Sequence, residues 1–177
     1  LPVDRVFTMK GFGTVVTGTL VSGSVKRDDE VEILPGGAVA KVRGVQVHGE
    51  TVDRAWAGNR TALNFSGVSV EEIHRGETVT HPGAFAATYM LDAKVRVLGS
   101  LAKPLADRTR LRLHLATQEV ETVASLLETD VLPPGEEGFV QLRCREKIVC
   151  SPGDRFVLRS FSPARTVGVG KVIDHAP

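Results

Sequence analysis

Three stretches of the chain carry residue types that chemistry commonly uses. Gly13 to Thr19 (GTVVTGT) places Gly13 and Gly18 at the spacing of a phosphate-binding loop. That loop needs Lys and then Ser or Thr after its second glycine, and a helix whose N-terminal amides face the phosphate. Thr19 stands where the Lys belongs, and the Val/Thr composition predicts a strand, so the motif fails. Gly11-Phe12-Gly13 opens like a dinucleotide fingerprint, but Val16 occupies the third glycine position. The third stretch is a basic alternation. Arg108, Arg110, Arg112 and His114 are interleaved with Leu111, Leu113 and Leu115, the pattern of a strand with one basic face. Lys94 with Arg96, and Arg143 with Arg145, repeat that spacing. On adjacent strands these residues would form a stripe able to hold phosphates without reading bases. Equally open are a solvated face with Glu119 and Glu121 as cross-strand partners, and a face covered by a neighbouring domain.

No catalytic constellation emerges. There is no Gly-x-Ser-x-Gly elbow, the histidines are isolated, and the carboxylates are scattered over alternating stretches. The five His and two Cys lack zinc-ligand spacing, so no metal site is expected. Cys144 and Cys150 read as reduced core thiols, with a bridge between them as the alternative.

The elements that must position these residues follow a period of two. Strands are expected over 5–10, 13–20, 30–34, 38–47, 60–65 and 77–80, with a hairpin at Pro35-Gly36-Gly37. Further strands are expected over 91–98, 110–116, 119–126, 138–144 and 154–160. Over 118–129, Val120, Val123 and Leu127 also fit a helical face, but Val120, Thr122, Ala124 and Leu126 fit a strand, which the neighbouring strands favour. His81-Pro82-Gly83 breaks the pattern. The fold expected is all-β, two tandem antiparallel barrels over 1–83 and 84–177.

Composition narrows the function classes. The 177 residues carry 22 basic and 21 acidic side chains, a formal charge of +1, with 42% hydrophobic residues. That apolar content argues against disorder. No apolar run is long enough for a membrane helix, and no signal-peptide pattern opens the chain, so a cytoplasmic protein is expected. Near-neutral charge still leaves room for a local basic face.

The run Val6-Phe-Thr-Met-Lys-Gly-Phe-Gly-Thr-Val-Val-Thr-Gly-Thr-Leu20 resembles the first strands of the second domain of translational GTPases, of which elongation factor Tu is the familiar member. Ala57-Gly58-Asn59-Arg60-Thr-Ala-Leu and Arg75-Gly76-Glu77-Thr78-Val79 resemble later strands of that domain. Arg155-Phe156 and Arg165-Thr166-Val167-Gly168-Val169-Gly170 resemble the close of the third. Asp4-Arg5, Gly58-Asn59-Arg60 and the ending Phe156 to Gly168 are most similar to the bacterial selenocysteine-specific elongation factors; Arg5 departs from elongation factor Tu, where an acidic pair precedes the Val-Phe.

The resemblance implies two barrels like domains 2 and 3 of elongation factor Tu. It implies an aminoacyl pocket made of Asp4, Arg5 and Arg60, able to hold a selenolate. It further implies RNA-backbone contacts through Arg108, Arg110, Arg112, Arg143, Arg145 and Arg165. The partners implied are selenocysteinyl-tRNA, the ribosome, a GTPase domain and a C-terminal region that binds an mRNA hairpin, in a monomer with no membrane association. GTP and Mg2+ are expected in the GTPase domain rather than here, so this chain is expected not to be an enzyme by itself. Two alternatives stay open: the same fragment of a translational GTPase delivering another aminoacyl-tRNA, and a structural or protein-interaction barrel pair.

Overall fold

The computed structural model describes residues 1–11 and 13–177, so the Gly11-Phe12-Gly13 motif lies partly outside the described residues. The chain forms two compact units, Leu1–Ala86 and Ala87–Pro177, dividing shortly after the His81-Pro82-Gly83 break.

The first unit holds β1 (Val3–Met9), β2 (Gly13–Thr19), β3 (Ser24–Lys26), β4 (Glu30–Leu34), β5 (Ala38–Val47), β6 (Glu50–Val52), β7 (Arg54–Trp56), β8 (Arg60–Ser66) and β9 (Thr78–Thr80). The main sheet runs β1-β2-β8-β5-β4-β9, with β6 on β5, and β3 and β7 form a separate ribbon. Its two edges meet. The Val3 amide donates to the Glu77 carbonyl at 2.8 Å, and the Gly76 amide donates to the Val3 carbonyl at 3.0 Å. Alternate residues such as Val16, Ile33, Val42, Leu63 and Phe65 point into one core. A 3-10 turn over Val70–Glu72 seats Ile73 in the same core. Its entry is held by the Glu72 carboxylate, which accepts from the Ser69 amide at 2.8 Å.

The second unit holds β10 (Ala87–Val97), β11 (Leu105–Ala106), β12 (Thr109–Leu115), β13 (Gln118–Leu126), β14 (Val131–Leu132), β15 (Glu137–Val149), β16 (Arg155–Arg159) and β17 (Thr166–Asp174). Six of them close a barrel in the order β10-β15-β13-β12-β16-β17, while β11 pairs with β14 outside it. The segment that also fitted a helix is the strand β13. Gln118, Val120, Thr122 and Ala124 face inward, and Leu127 lies exposed beyond its end. The expected alternation holds in β12, where Leu111, Leu113 and Leu115 are buried. The short strands β3, β6, β7, β11 and β14 were not expected; two or three residues carry too little alternation to register. β15 extends well past the expected 138–144, because Arg145-Glu146-Lys147 interrupts the apolar pattern without interrupting the strand.

β17 carries the Thr166-Val-Gly-Val-Gly170 run, and its glycines have a steric reason. A Cβ on Gly170 would stand 2.3 Å from Cζ of Phe156 and 3.0 Å from the Lys94 carbonyl oxygen. A Cβ on Gly168 would stand 2.8 Å from the Arg96 carbonyl oxygen. Both cysteines are free and buried in this barrel. The Cys144 thiol donates to the Thr122 hydroxyl at 3.8 Å, and that hydroxyl donates to the Arg143 carbonyl. Burial pushes the Cys144 thiol up to about 11 and that of Cys150 to about 12, the latter helped by the Asp154 charge.

Three outcomes are expected. Gly170→Ala lowers the stability of the second unit by about 1–3 kcal/mol in denaturant titrations, the usual cost of overpacking. Gly99→Ala, whose Cβ would meet nothing closer than 3.9 Å, changes it by less than about 0.5 kcal/mol. A thiol-disulfide reagent at about pH 8 modifies Cys144 and Cys150 slowly in the native chain and rapidly in denaturant, because the buried thiols stay protonated there.

Candidate aminoacyl-binding site

The first unit gathers a charged cluster at the start of β1. Val3 pairs with Gly18, but Arg5 pairs with Thr17, so Asp4 is an extra residue in the strand, a β-bulge. Such a bulge re-aims the side chain it carries. Gly18 permits this register. A Cβ there would lie 2.1 Å from the Pro2 carbonyl oxygen and 2.8 Å from a Leu1 methyl carbon. The second glycine of GTVVTG therefore serves close strand approach, not phosphate binding.

Arg60 opens β8 opposite Thr19 on β2, two strands away from Asp4. Its guanidinium donates to a carboxylate oxygen of Asp4 at 2.7 Å. Asp4 is partly shielded, whereas Arg5 and Arg60 are exposed. The turn before Arg60 is set by Gly58, at φ 91°, and by the Asn59 side-chain amide donating to the Trp56 carbonyl at 3.1 Å. The structure thus joins Asp4 to Arg60, and Arg5 is the next residue along β1.

A further guanidinium belongs to this cluster. The Arg60 hydrogen bond holds the Asp4 carboxyl below its ordinary range; burial opposes it, and the charges of Arg60, Arg75 and Arg5, each a lesser effect, add to the lowering. Arg75 reaches the site because Gly76 and Glu77, the next residues, bond the backbone of Val3. Sequence reasoning quoted Arg75 as part of a motif but gave it no site role; only strand closure brings it beside Asp4. One carboxylate thus feels three guanidinium charges, of which Arg60 alone is at hydrogen-bond distance. Among the described residues, neither Arg5 nor Arg75 closes a side-chain ion pair. The cluster carries more guanidinium than carboxylate charge, and Arg5, Arg60 and Arg75 are all exposed.

The basic residues of the second unit are arranged differently from the expected stripe. Arg108 precedes β12, in a turn at φ 57°, and does not share the face of Arg110 and Arg112. β13 runs between β12 and β15 and carries carboxylates. Arg112 faces Glu121 and His114 faces Glu119 in register. Diagonal ion pairs join Arg110 to Glu121 at 3.3 Å and Arg112 to Glu119 at 2.6 Å, and Arg145 reaches Glu121 from the other neighbouring strand at 3.4 Å. The Arg143 Nε donates to Gln141 at 3.0 Å. Lys94 pairs with Glu137 at 2.6 Å. Arg165 ends a loop organised by the Ser160 hydroxyl, which accepts from the Arg165 amide at 3.1 Å and donates to the Pro163 carbonyl at 2.6 Å.

Because the native pKa of Asp4 is depressed, its pairing with Arg60 stabilises the unit above the ordinary carboxylate pKa. That contribution is lost as pH falls through the lowered native value. The stability difference between the parent chain and Asp4→Asn is therefore expected to be constant above about pH 5 and to shrink below about pH 4. Urea titrations across that range check it; a difference that does not vary with pH contradicts the pairing.

Both units are similar in sequence to known proteins. The family model for elongation factor Tu domain 2 matches residues 13–80. The model for the β-barrel domain of selenocysteine-specific elongation factor matches residues 92–177. A selenocysteine-specific elongation factor of Desulfomicrobium baculatum is 44% identical over 174 residues, covering 98% of this chain and 27% of that protein. Elongation factor Tu 2 of Streptomyces avermitilis is 32% identical over 176 residues, covering 97% of this chain and 45% of that protein. The chain thus spans less than half the length of these curated relatives. The first unit matches elongation factor Tu domain 2, the second matches the β-barrel domain of selenocysteine-specific elongation factor, and the chain as a whole resembles the selenocysteine-specific elongation factors.

Proposed function

We propose that this chain is the part of a selenocysteine-specific elongation factor that holds the acylated end of selenocysteinyl-tRNA. The observation that carries the proposal is the 2.7 Å Asp4–Arg60 pair with Arg5 and Arg75 adding positive charge around it. A selenol is more acidic than a thiol and is largely ionised near neutral pH. A cysteine side chain keeps most of its proton there, and serine is neutral. A site with more guanidinium than carboxylate charge favours the ionised side chain through charge-assisted hydrogen bonds. Asp4 orients Arg60 and limits the excess charge, so the empty site is not strongly self-repelling.

The second unit contacts the RNA backbone. Arg165, on its ordered loop, and the outward Arg110, Arg112, Arg143 and Arg145 supply the cations, with Arg108 at the adjoining turn. Because Glu119 and Glu121 neutralise part of this face, its contribution is modest and salt-sensitive. GTP hydrolysis, with Mg2+, belongs to a domain of the whole protein outside these two, and cytoplasmic partners such as the ribosome are engaged by that whole protein.

In the polypeptide that includes the GTP-binding domain, selenocysteinyl-tRNA is expected to bind more tightly than seryl-tRNA. Arg5→Ala and Arg60→Ala each reduce that preference, and Arg60→Lys only partly retains it because the planar fork is lost. A parent with no preference, or variants that keep it in full, refutes the anion-pocket reading. For the second unit, Arg110→Glu combined with Arg112→Glu is expected to lower the slope of log affinity against log salt by about 2. An unchanged slope removes these residues from the RNA interface.

A further inference from the structure

Trp56, the chain's one tryptophan, is 58% exposed. It ends β7, where it pairs with Ser24 of β3. It is held firmly: the Ala57 amide donates to the Gly23 carbonyl at 2.9 Å, the Gly58 amide to the Leu20 carbonyl at 2.8 Å, and Asn59 bonds the Trp56 carbonyl. The Arg54 guanidinium lies 5.2 Å from the ring centroid and covers one face of the indole. In the same ribbon Lys26 pairs in register with Arg54, a like-charge juxtaposition that costs stability. Among the described residues, no carboxylate forms an ion pair with either side chain. The folded chain therefore presents a rigid aromatic surface flanked by uncompensated cations.

That combination fits an unpaired nucleotide. A base stacks on the open indole face whatever its identity, and the neighbouring cations meet its phosphates. Trp and Arg also anchor protein partners, but Lys26 and Arg54, neither with a carboxylate partner among the described residues, favour an anionic occupant at Trp56, and a nucleic acid brings phosphates together with a base. Arg60 follows four positions later, so the two Cα atoms are at most about 14 Å apart. One RNA end can span that distance.

We propose that Trp56, backed by Arg54, is a stacking platform for an unpaired base of the RNA whose acylated end lies at Asp4, Arg5 and Arg60. The inference rests on the function proposed above for that cluster, and its test is independent of the acyl group. An unacylated single-stranded oligoribonucleotide is titrated into this chain while the intrinsic fluorescence of Trp56 is followed. The expected result is a saturable change in indole emission. A blunt RNA duplex, whose bases are already stacked, gives a much smaller one. With a labelled oligonucleotide, Trp56→Ala weakens binding by about 5- to 100-fold, Trp56→Phe retains most of it, and Arg54→Ala lies between. Circular dichroism establishes that the variants fold.

Because this RNA carries no acyl group, an indole response in a parent that shows no preference for selenocysteinyl-tRNA over seryl-tRNA separates failure of the aminoacyl pocket from failure of the platform. No change in emission up to about 1 mM oligonucleotide overturns the proposal. So does a Trp56→Ala variant that binds like the parent, or an indole that responds to a protein partner but not to RNA.

Discussion

Closure of the first sheet through Val3 is the constraint on which the candidate site depends. Val3 pairs with Gly18 on one side and bonds the backbone of Gly76 and Glu77 on the other. The space for this exists because Gly18 has no side chain where Leu1 and Pro2 cross it. Once the edges meet, three distant segments converge. Asp4 is displaced by the bulge one residue beyond Val3, Arg60 enters from β8 beyond Gly18, and Arg75 enters from the turn beside Glu77. A change that loosens the closure would scatter the charged cluster without touching a charged residue.

The two units treat positive charge in opposite ways. On the second barrel, β13 brings Glu119 and Glu121 between the arginines of β12 and β15, and direct and diagonal cross-strand neighbours let each carboxylate find a guanidinium. On the first, Arg5 and Arg75 join a carboxylate already engaged by Arg60. An overall charge of +1 thus conceals a compensated face and an uncompensated cluster. In the cluster only Arg60 is paired with a carboxylate, whereas Arg5 and Arg75 form no side-chain ion pair among the described residues.

Glycine has two separate uses in this chain. At Gly58, φ of 91° sets the turn between Trp56 and Arg60. At Gly18, Gly168 and Gly170, the absence of a side chain lets backbones or a ring approach closely. Gly18 of GTVVTG, whose spacing invites comparison with a phosphate-binding loop, and Gly168 and Gly170 of TVGVG lie within strands and serve packing, whereas Gly13 opens β2 at φ 83°. Their spacing comes from which strand positions face a neighbouring segment.

Alternation of Val, Leu and Ile with polar residues, broken by Pro and Gly, by itself determined an all-β chain of two barrels. It did so because side chains on successive strand positions face opposite sides. The inward residues of β12 and the strand state of β13 were readable for that reason. The motifs also carried the resemblance to translation elongation factors and the candidates Asp4, Arg5 and Arg60. Tertiary structure alone decided which strands are neighbours. It placed β13 between the two basic strands and so paired their arginines with glutamates. It also set the bulge at Asp4 and brought in Arg75, more than sixty residues away along the chain. Strand alternation is a local property, whereas register and barrel order depend on contacts between segments far apart in sequence, and those contacts fix which charges meet.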